Sequence, residues 1–190
     1  MAEDAEGVVF LKRDIEKVRD ALKSFSKSFI RELNDKWAAF FVPDRYYLPE
    51  VQAKLLDMSR DIPLLYYLDT EDYGWVFRLY WQGSVKASLE VNYELFEELM
   101  SDNPEAIDEH YANANFEAFN AFDLGDEQLQ GLKTEISAQA FLAKDDIWEM
   151  SDKSEFIRLV GIDEIWAMTY RYLAATSGDA ESLKRQDDPN

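Results

Sequence analysis

Apolar positions in the first long segment trace one side of a helix. Between Asp14 and Asn34 they fall at Ile15, Val18, Leu22, Phe25, Phe29 and Leu33, in steps of three and four. Asp14 suits the N-cap, and Asn34 with Asp35 suits the stop. The run Val8–Leu11 just before it is short and wholly apolar, as a strand or a lead-in to the helix would be. Trp37 to Val42 reads as a strand broken by Pro43 and Asp44. A second helix is expected from Pro49 to Arg60. Proline fits its first position, where no amide donor is needed, and Val51, Leu55 and Met58 form its buried stripe.

The middle of the chain has the pattern of a β-meander. Ile62–Leu68, Trp75–Tyr80 and Ser84–Val91 are strand-like, with Asp69 to Gly74 as a turn. In the last of them Val85, Ala87, Leu89 and Val91 alternate with polar residues, which predicts one packed and one wet face. A two-residue loop at Gln82-Gly83 would set Trp75, Phe77 and Leu79 on the side of Glu90, Ser88 and Lys86. A three-residue loop, with Tyr80 opposite Ser84 and Arg78 opposite Lys86, gathers the apolar residues on one face and is the expected register.

Helices should follow. Asn92 caps one through Met100 with Leu95, Phe96 and Leu99 buried. Asn103 and Pro104 open another that runs to Phe119. Further helices are expected at Asp126–Ala143, Ser151–Val160 and Asp163–Ala175, with Gly161 as a C-cap. Helix, sheet and then helices make an α+β chain: an antiparallel meander of three to five strands packed on an N-terminal amphipathic helix, followed by a mostly helical C-terminal half. Helices are expected on one face of the sheet. Residues 1–7 read as a flexible N-terminus and 8–175 as one domain, with a subdivision near Asp102 as the alternative. Residues 176–190 read as a polar, disordered tail.

Composition then removes chemistries. The 190 residues contain no cysteine and one histidine, which excludes disulfides, zinc–thiolate and iron–sulfur sites, and multi-histidine metal centres within one chain. No glycine-rich phosphate loop or nucleophile elbow is present. The 39 acids against 20 Lys and Arg give a net charge of −19, which argues against nucleic-acid binding. The densest basic stretch, Lys12 to Lys23, is interleaved with acids and reads as a salt-bridged helix face. No apolar run approaches the ~20 residues that span a bilayer. Three acids precede Val8 where a secretory signal would be basic and apolar, so a cytoplasmic home is expected.

Few residues stand out as chemistry. His110 lies on an apolar stripe with Ala106, Ile107, Tyr111 and Ala114, the setting of a structural histidine. The turn Asp69-Thr70-Glu71-Asp72 has the wrong spacing for a calcium loop and reads as solvated. Aromatic residues are abundant, at 14% of the chain. The adjacent pairs Tyr46-Tyr47 and Tyr66-Tyr67 cannot both point inward from a strand, so some aromatics reach a rim, where interfaces use them. The candidate binding surface is therefore Tyr46, Tyr67, Tyr73 and Trp81 with Asp69, Glu71 and Asp72. No catalytic residue, metal ligand or cofactor is assigned.

The expected function is that of a soluble acidic binding or regulatory protein without catalysis, such as an inhibitor or immunity protein with a basic protein partner. The alternative is a small carboxylate enzyme, with or without a divalent metal, using a cleft between the sheet and the C-terminal helices. Acidity can also adapt a protein to high salt, but 20 Lys and Arg are not the depletion that reading needs.

Overall fold

Val8 to Leu11 and Trp37 to Val42 have no polar residue on either side, and strands of that kind need cover on both faces. A computed structural model shows how they get it; it describes residues 5–25, 27–43, 46–70, 73–143, 152–165 and 168–176. The strands are β1 (Ala5–Leu11), β2 (Phe29–Glu32), β3 (Trp37–Phe41), β4 (Leu64–Asp69), β5 (Gly74–Trp81) and β6 (Ser84–Asn92). They form one antiparallel sheet in the order β2-β3-β1-β4-β5-β6. The chain is α+β, with six strands rather than three to five.

Both faces of the sheet carry helices, not one. Val8, Phe10, Ala38, Phe40, Leu64 and Tyr66 share a core with Val18 of α1 (Ile15–Ala21) and Val51 and Leu55 of α2 (Pro49–Met58). Their sheet neighbours Val9, Leu11, Ala39, Phe41, Leu65 and Tyr67 belong to a larger core on the other face. That core takes in α3 (Tyr93–Asp102), α4 (Ala106–Tyr111), a 3-10 segment Phe116–Phe122, α5 (Asp126–Glu135), α6 (Ala138–Leu142), α7 (Asp152–Val160) and α8 (Tyr170–Thr176). Its centre is aromatic: Phe156 of α7 stacks on Phe77 at 4.8 Å between centroids and lies 5.2 Å from Trp75.

Several expected elements are corrected. The helix drawn from Asp14 to Asn34 ends near Ser24, and its last third is the edge strand β2. Ala5–Gly7, expected to be flexible, begin the central strand β1. The helix expected to reach Phe119 stops at Tyr111, because residues 113–115 cross the outer side of β6. There the Asn113 carbonyl accepts from Ser88 N–H at 2.9 Å, and Asn115 Nδ2 donates to the Lys86 carbonyl at 3.4 Å. The Asp126–Ala143 helix breaks at Ile136, and Ser137 caps the new start by accepting from Ala140 N–H. Asn92 caps α3 as expected, at 3.0 Å from Leu95 N–H. Residues 177–190 of the expected tail lie outside the described residues.

The β5–β6 hairpin uses the two-residue loop, with Trp81 opposite Ser84 and φ positive at both Gln82 and Gly83 (54° and 72°). The polarity problem is solved further along. Tyr80 pairs with Val85 but Leu79 pairs with Ala87, so Lys86 is an unpaired bulge residue. The bulge shifts the strand by one residue and brings Ala87, Leu89 and Val91 to the face of Leu79, Phe77 and Trp75. Arg78 consequently faces Ser88, not Lys86.

Candidate functional site

Among the described residues, the aromatic and acidic positions singled out in the sequence do not meet on one surface. Tyr46 is buried on the α1/α2 face, where its hydroxyl donates to the Phe40 carbonyl at 3.3 Å and accepts from Val42 N–H at 3.1 Å. Tyr67 is buried on the opposite face, in the core with α7. Tyr73 is 67% exposed at the β4–β5 turn, and Trp81 is half-buried at the far end of β5. Asp69 is not part of a solvated turn. It ends β4, is 1% exposed, and accepts from Lys153 Nζ of α7 at 3.0 Å. Glu71 and Asp72 lie outside the described residues.

The buried phenols give a pH signature. Burial raises the Tyr46, Tyr66 and Tyr67 hydroxyls well above the tyrosine range; the Glu6 carboxylate adds to this at Tyr46 and Tyr66, and Asp69 at Tyr67. The unfolded chain releases these protons first, at about pH 10. Stability is therefore full below that range and falls as the pH rises through it. In an alkaline titration followed by tyrosinate absorbance, these phenols should ionise only with cooperative unfolding. Gradual ionisation of all tyrosines with the far-UV spectrum intact would contradict this.

A different surface emerges from the distribution of charge. From Ala87 to Leu132 there is no Lys or Arg, and there are twelve acids. Two of the twelve, Glu117 and Asp123, are tied to Lys133 and Arg13. Glu90, Glu94, Glu97, Glu98, Asp102, Glu105, Asp108 and Glu109 are all exposed, and none makes an ion pair among the described residues. They lie on β6, α3, α4 and the turn between the two helices. The acids of α1 behave in the opposite way: Asp14, Glu16 and Asp20 hold Lys17, Arg19 and Lys23 at 2.5–2.7 Å.

On α3 the arrangement is self-repelling. Glu94 and Glu98 are four residues apart, as are Glu98 and Asp102. Glu94, Glu97, Glu98 and Asp102 line an open depression of about 500 Å³. Leu95, expected in the core, is 37% exposed beside them, while Phe96 takes the buried position. The surface is thus acidic with an apolar residue within it. One signal in the sequence could have found it: the distance from Lys86 to the next basic residue, Lys133. The total of −19 conceals that gap.

His110 stands at the edge of this region. Its ring meets Phe96 edge-on at 5.1 Å, and with Glu109, Arg78, Glu90 and Ser88 it lines a cleft of about 230 Å³ beside β6. The space between the sheet and the C-terminal helices, where the enzyme reading puts its cleft, is filled among the described residues by Phe77, Phe116, Phe119 and Phe156. Among those residues no group of three or more His, Cys, Asp or Glu could hold a metal ion, and no helix is long and apolar enough to cross a membrane.

Comparison with known protein families, curated proteins and solved structures finds no match to this chain.

Proposed function

We propose that the chain is a non-catalytic binding protein that engages a basic protein partner through the β6–α3–α4 surface. The observation that carries this reading is the run of eight exposed carboxylates from Glu90 to Glu109, none of them ion-paired among the described residues. Like charges four apart on α3 weaken the helix, by ~0.2–0.5 kcal/mol per pair. A basic partner relieves that repulsion, speeds its own encounter, and is selected by sign. Leu95 supplies an apolar contact within the charged field. Inhibitors and immunity proteins of basic enzymes have this character.

Glu98→Lys tests the reading, because Glu98 belongs to both like-charge pairs and the substitution turns each into an attractive one. The variant should be slightly more stable than the parent in urea denaturation. It should also lose at least tenfold in retention of the basic proteins that the parent captures from lysate at low salt. Equal retention by parent and variant would remove this surface from the proposal.

The carboxylate-enzyme reading draws on the cleft of Glu90, Glu109 and His110. At about 230 Å³ it is smaller than the ~300–1,000 Å³ of most ligand pockets. Turnover by the parent but not by Glu109→Gln, in a screen with and without magnesium, would favour that reading.

A further inference from the structure

The sheet ends differently at its two edges. The outer side of β6 is closed by Asn113 and Asn115, as described above. At β2 the ladder to β3 is fixed by the bond from Leu33 N–H to the Trp37 carbonyl, with Arg31 opposite Ala39 and Phe29 opposite Phe41. The alternation of an antiparallel ladder then turns the main-chain N–H and C=O of Ile30 and Glu32 outward. No hydrogen bond among the described residues ends on those outward groups. Edges of this kind are shielded by a proline, a bulge, a covering loop, short length or charged side chains; β2 has the last two, with four residues that include Arg31 and Glu32. The four residues of β2 contain no proline and pair with β3 without a register shift.

Beside this edge, on the α1 side of the sheet, runs an open groove of about 460 Å³. Leu22, Phe25 and Ile30 form its apolar floor, and Arg19, Lys23 and Lys27 its basic rim. Arg19 and Lys23 hold Glu16 and Asp20 of their own helix, but these pairs are exposed, and such pairs exchange at little cost. Lys12 to Glu32 carries seven Lys and Arg against four acids, in a chain whose total is −19. The basic end of the molecule is therefore also the end whose outward strand groups have no partner among the described residues.

We propose that the β2 edge receives an extended segment of another protein as a seventh strand, with carboxylates flanking an apolar side chain. Strand addition supplies main-chain bonds to Ile30 and Glu32, and alternate side chains of the guest fall on the groove side of the sheet. An apolar side chain opposite Ile30 would cover the floor. The carboxylate two residues toward Ser28 would reach the rim of Arg19, Lys23 and Lys27, and the one opposite Glu32 would share Lys12, which holds Glu32 at 2.5 Å. A second copy of this chain is the poorer occupant, because two molecules of charge −19 repel one another. The inference does not depend on the acidic surface at the other end of the sheet.

The probe is the peptide acetyl-Glu-Thr-Val-Thr-Glu-amide, titrated into the ¹⁵N-labelled full chain and followed by amide shifts. Saturable shifts are expected at Ile30 and Glu32 and at Leu22 to Phe25. Methylating the valine nitrogen, which removes the guest's central donor, should weaken binding at least tenfold. Replacing both glutamates by lysine should abolish it. In the protein, Lys23→Glu combined with Lys27→Glu should also abolish it. Ile30→Pro removes an outward N–H together with the Ile30 side chain of the floor and leaves the β2–β3 ladder in place, so it should weaken binding at least tenfold, whereas Ile30→Val, which keeps the N–H, should bind like the parent.

Equal binding of the methylated peptide or of the lysine peptide would overturn the proposal. So would the absence of shifts at β2 with millimolar peptide. Self-association of the parent that Ile30→Pro abolishes, without peptide binding, would assign the edge to a second copy and overturn it as well.

Discussion

Replacing Lys153 by methionine is expected to cost about 3–5 kcal/mol of folding free energy. Its ammonium lies 3.0 Å from Asp69 Oδ1, and the two side chains are 11% and 1% exposed. Methionine keeps most of the volume but leaves the Asp69 carboxylate buried without that cation. The loss is larger than any surface pair could give, because an interior carboxylate that loses its cation cannot recover its water. The double variant Asp69→Leu with Lys153→Met removes both charges and should regain more than half of the single variant's deficit. Urea midpoints at unchanged m-value measure both. Strict additivity of the two single substitutions would show that the charges are not coupled.

Phe156→Ala should cost a similar ~3–5 kcal/mol. Phe156 is fully buried at the middle of the larger core, stacked on Tyr67 and Phe77 and edge-on to Phe119. Alanine would leave a void bounded by four aromatic rings from β4, β5 and the 3-10 segment, and rings anchored in a sheet collapse poorly into such a space. Phe156→Leu, which fills much of the same volume, should lose less than half as much. A thermal unfolding series of the two variants checks the order. A Phe156→Ala midpoint within a degree or so of the parent would mean that the ring is not a keystone of this core.

Much of the sheet was legible because its strands carry unmistakable patterns. Trp37–Val42 and the hairpin strands announced themselves, and Pro49 and Asn92 marked helix starts that the structure keeps. The failure at Phe25–Leu33 has a definite cause. Phe29 and Leu33 are four residues apart, a spacing that lies on one face of a helix and equally on one face of a strand. Periodicity alone could not separate the two. What decides is that β3 would otherwise be the edge of the sheet, a fact about the whole fold. The expectation of helices on one face gave too little weight to the unbroken apolar runs of β1 and β3, which mark cover on both. The alternation of β6 pointed the other way because β6 is an edge strand, where one face can stay wetter.

The candidate surface was half-legible. Counting acids gives the sign of the net charge but not where on the molecule it gathers. The chain order hides that Arg13 compensates Asp123 from 110 residues away, and it places Asp69 beside a turn when it is a strand residue under α7. Spacing between successive basic residues carries the information that the sum discards. Aromatic abundance misled for a simple reason: a six-stranded sheet with helices on both faces has two interiors to fill, and Tyr46 and Tyr67 went one to each.

The bulge at Lys86 bears on how such a chain can vary over time. Losing one residue from a strand ordinarily turns every side chain beyond the lesion to the wrong face. Lys86 is the exception, since it has no partner on β5. Its loss would leave Val85 followed by Ala87 in unbroken alternation with Tyr80 and Leu79, on the same two-residue loop. The hairpin can therefore exist in two lengths with one interior, and Lys86 marks a place where descendants of this sequence can gain or shed a residue without rebuilding the core.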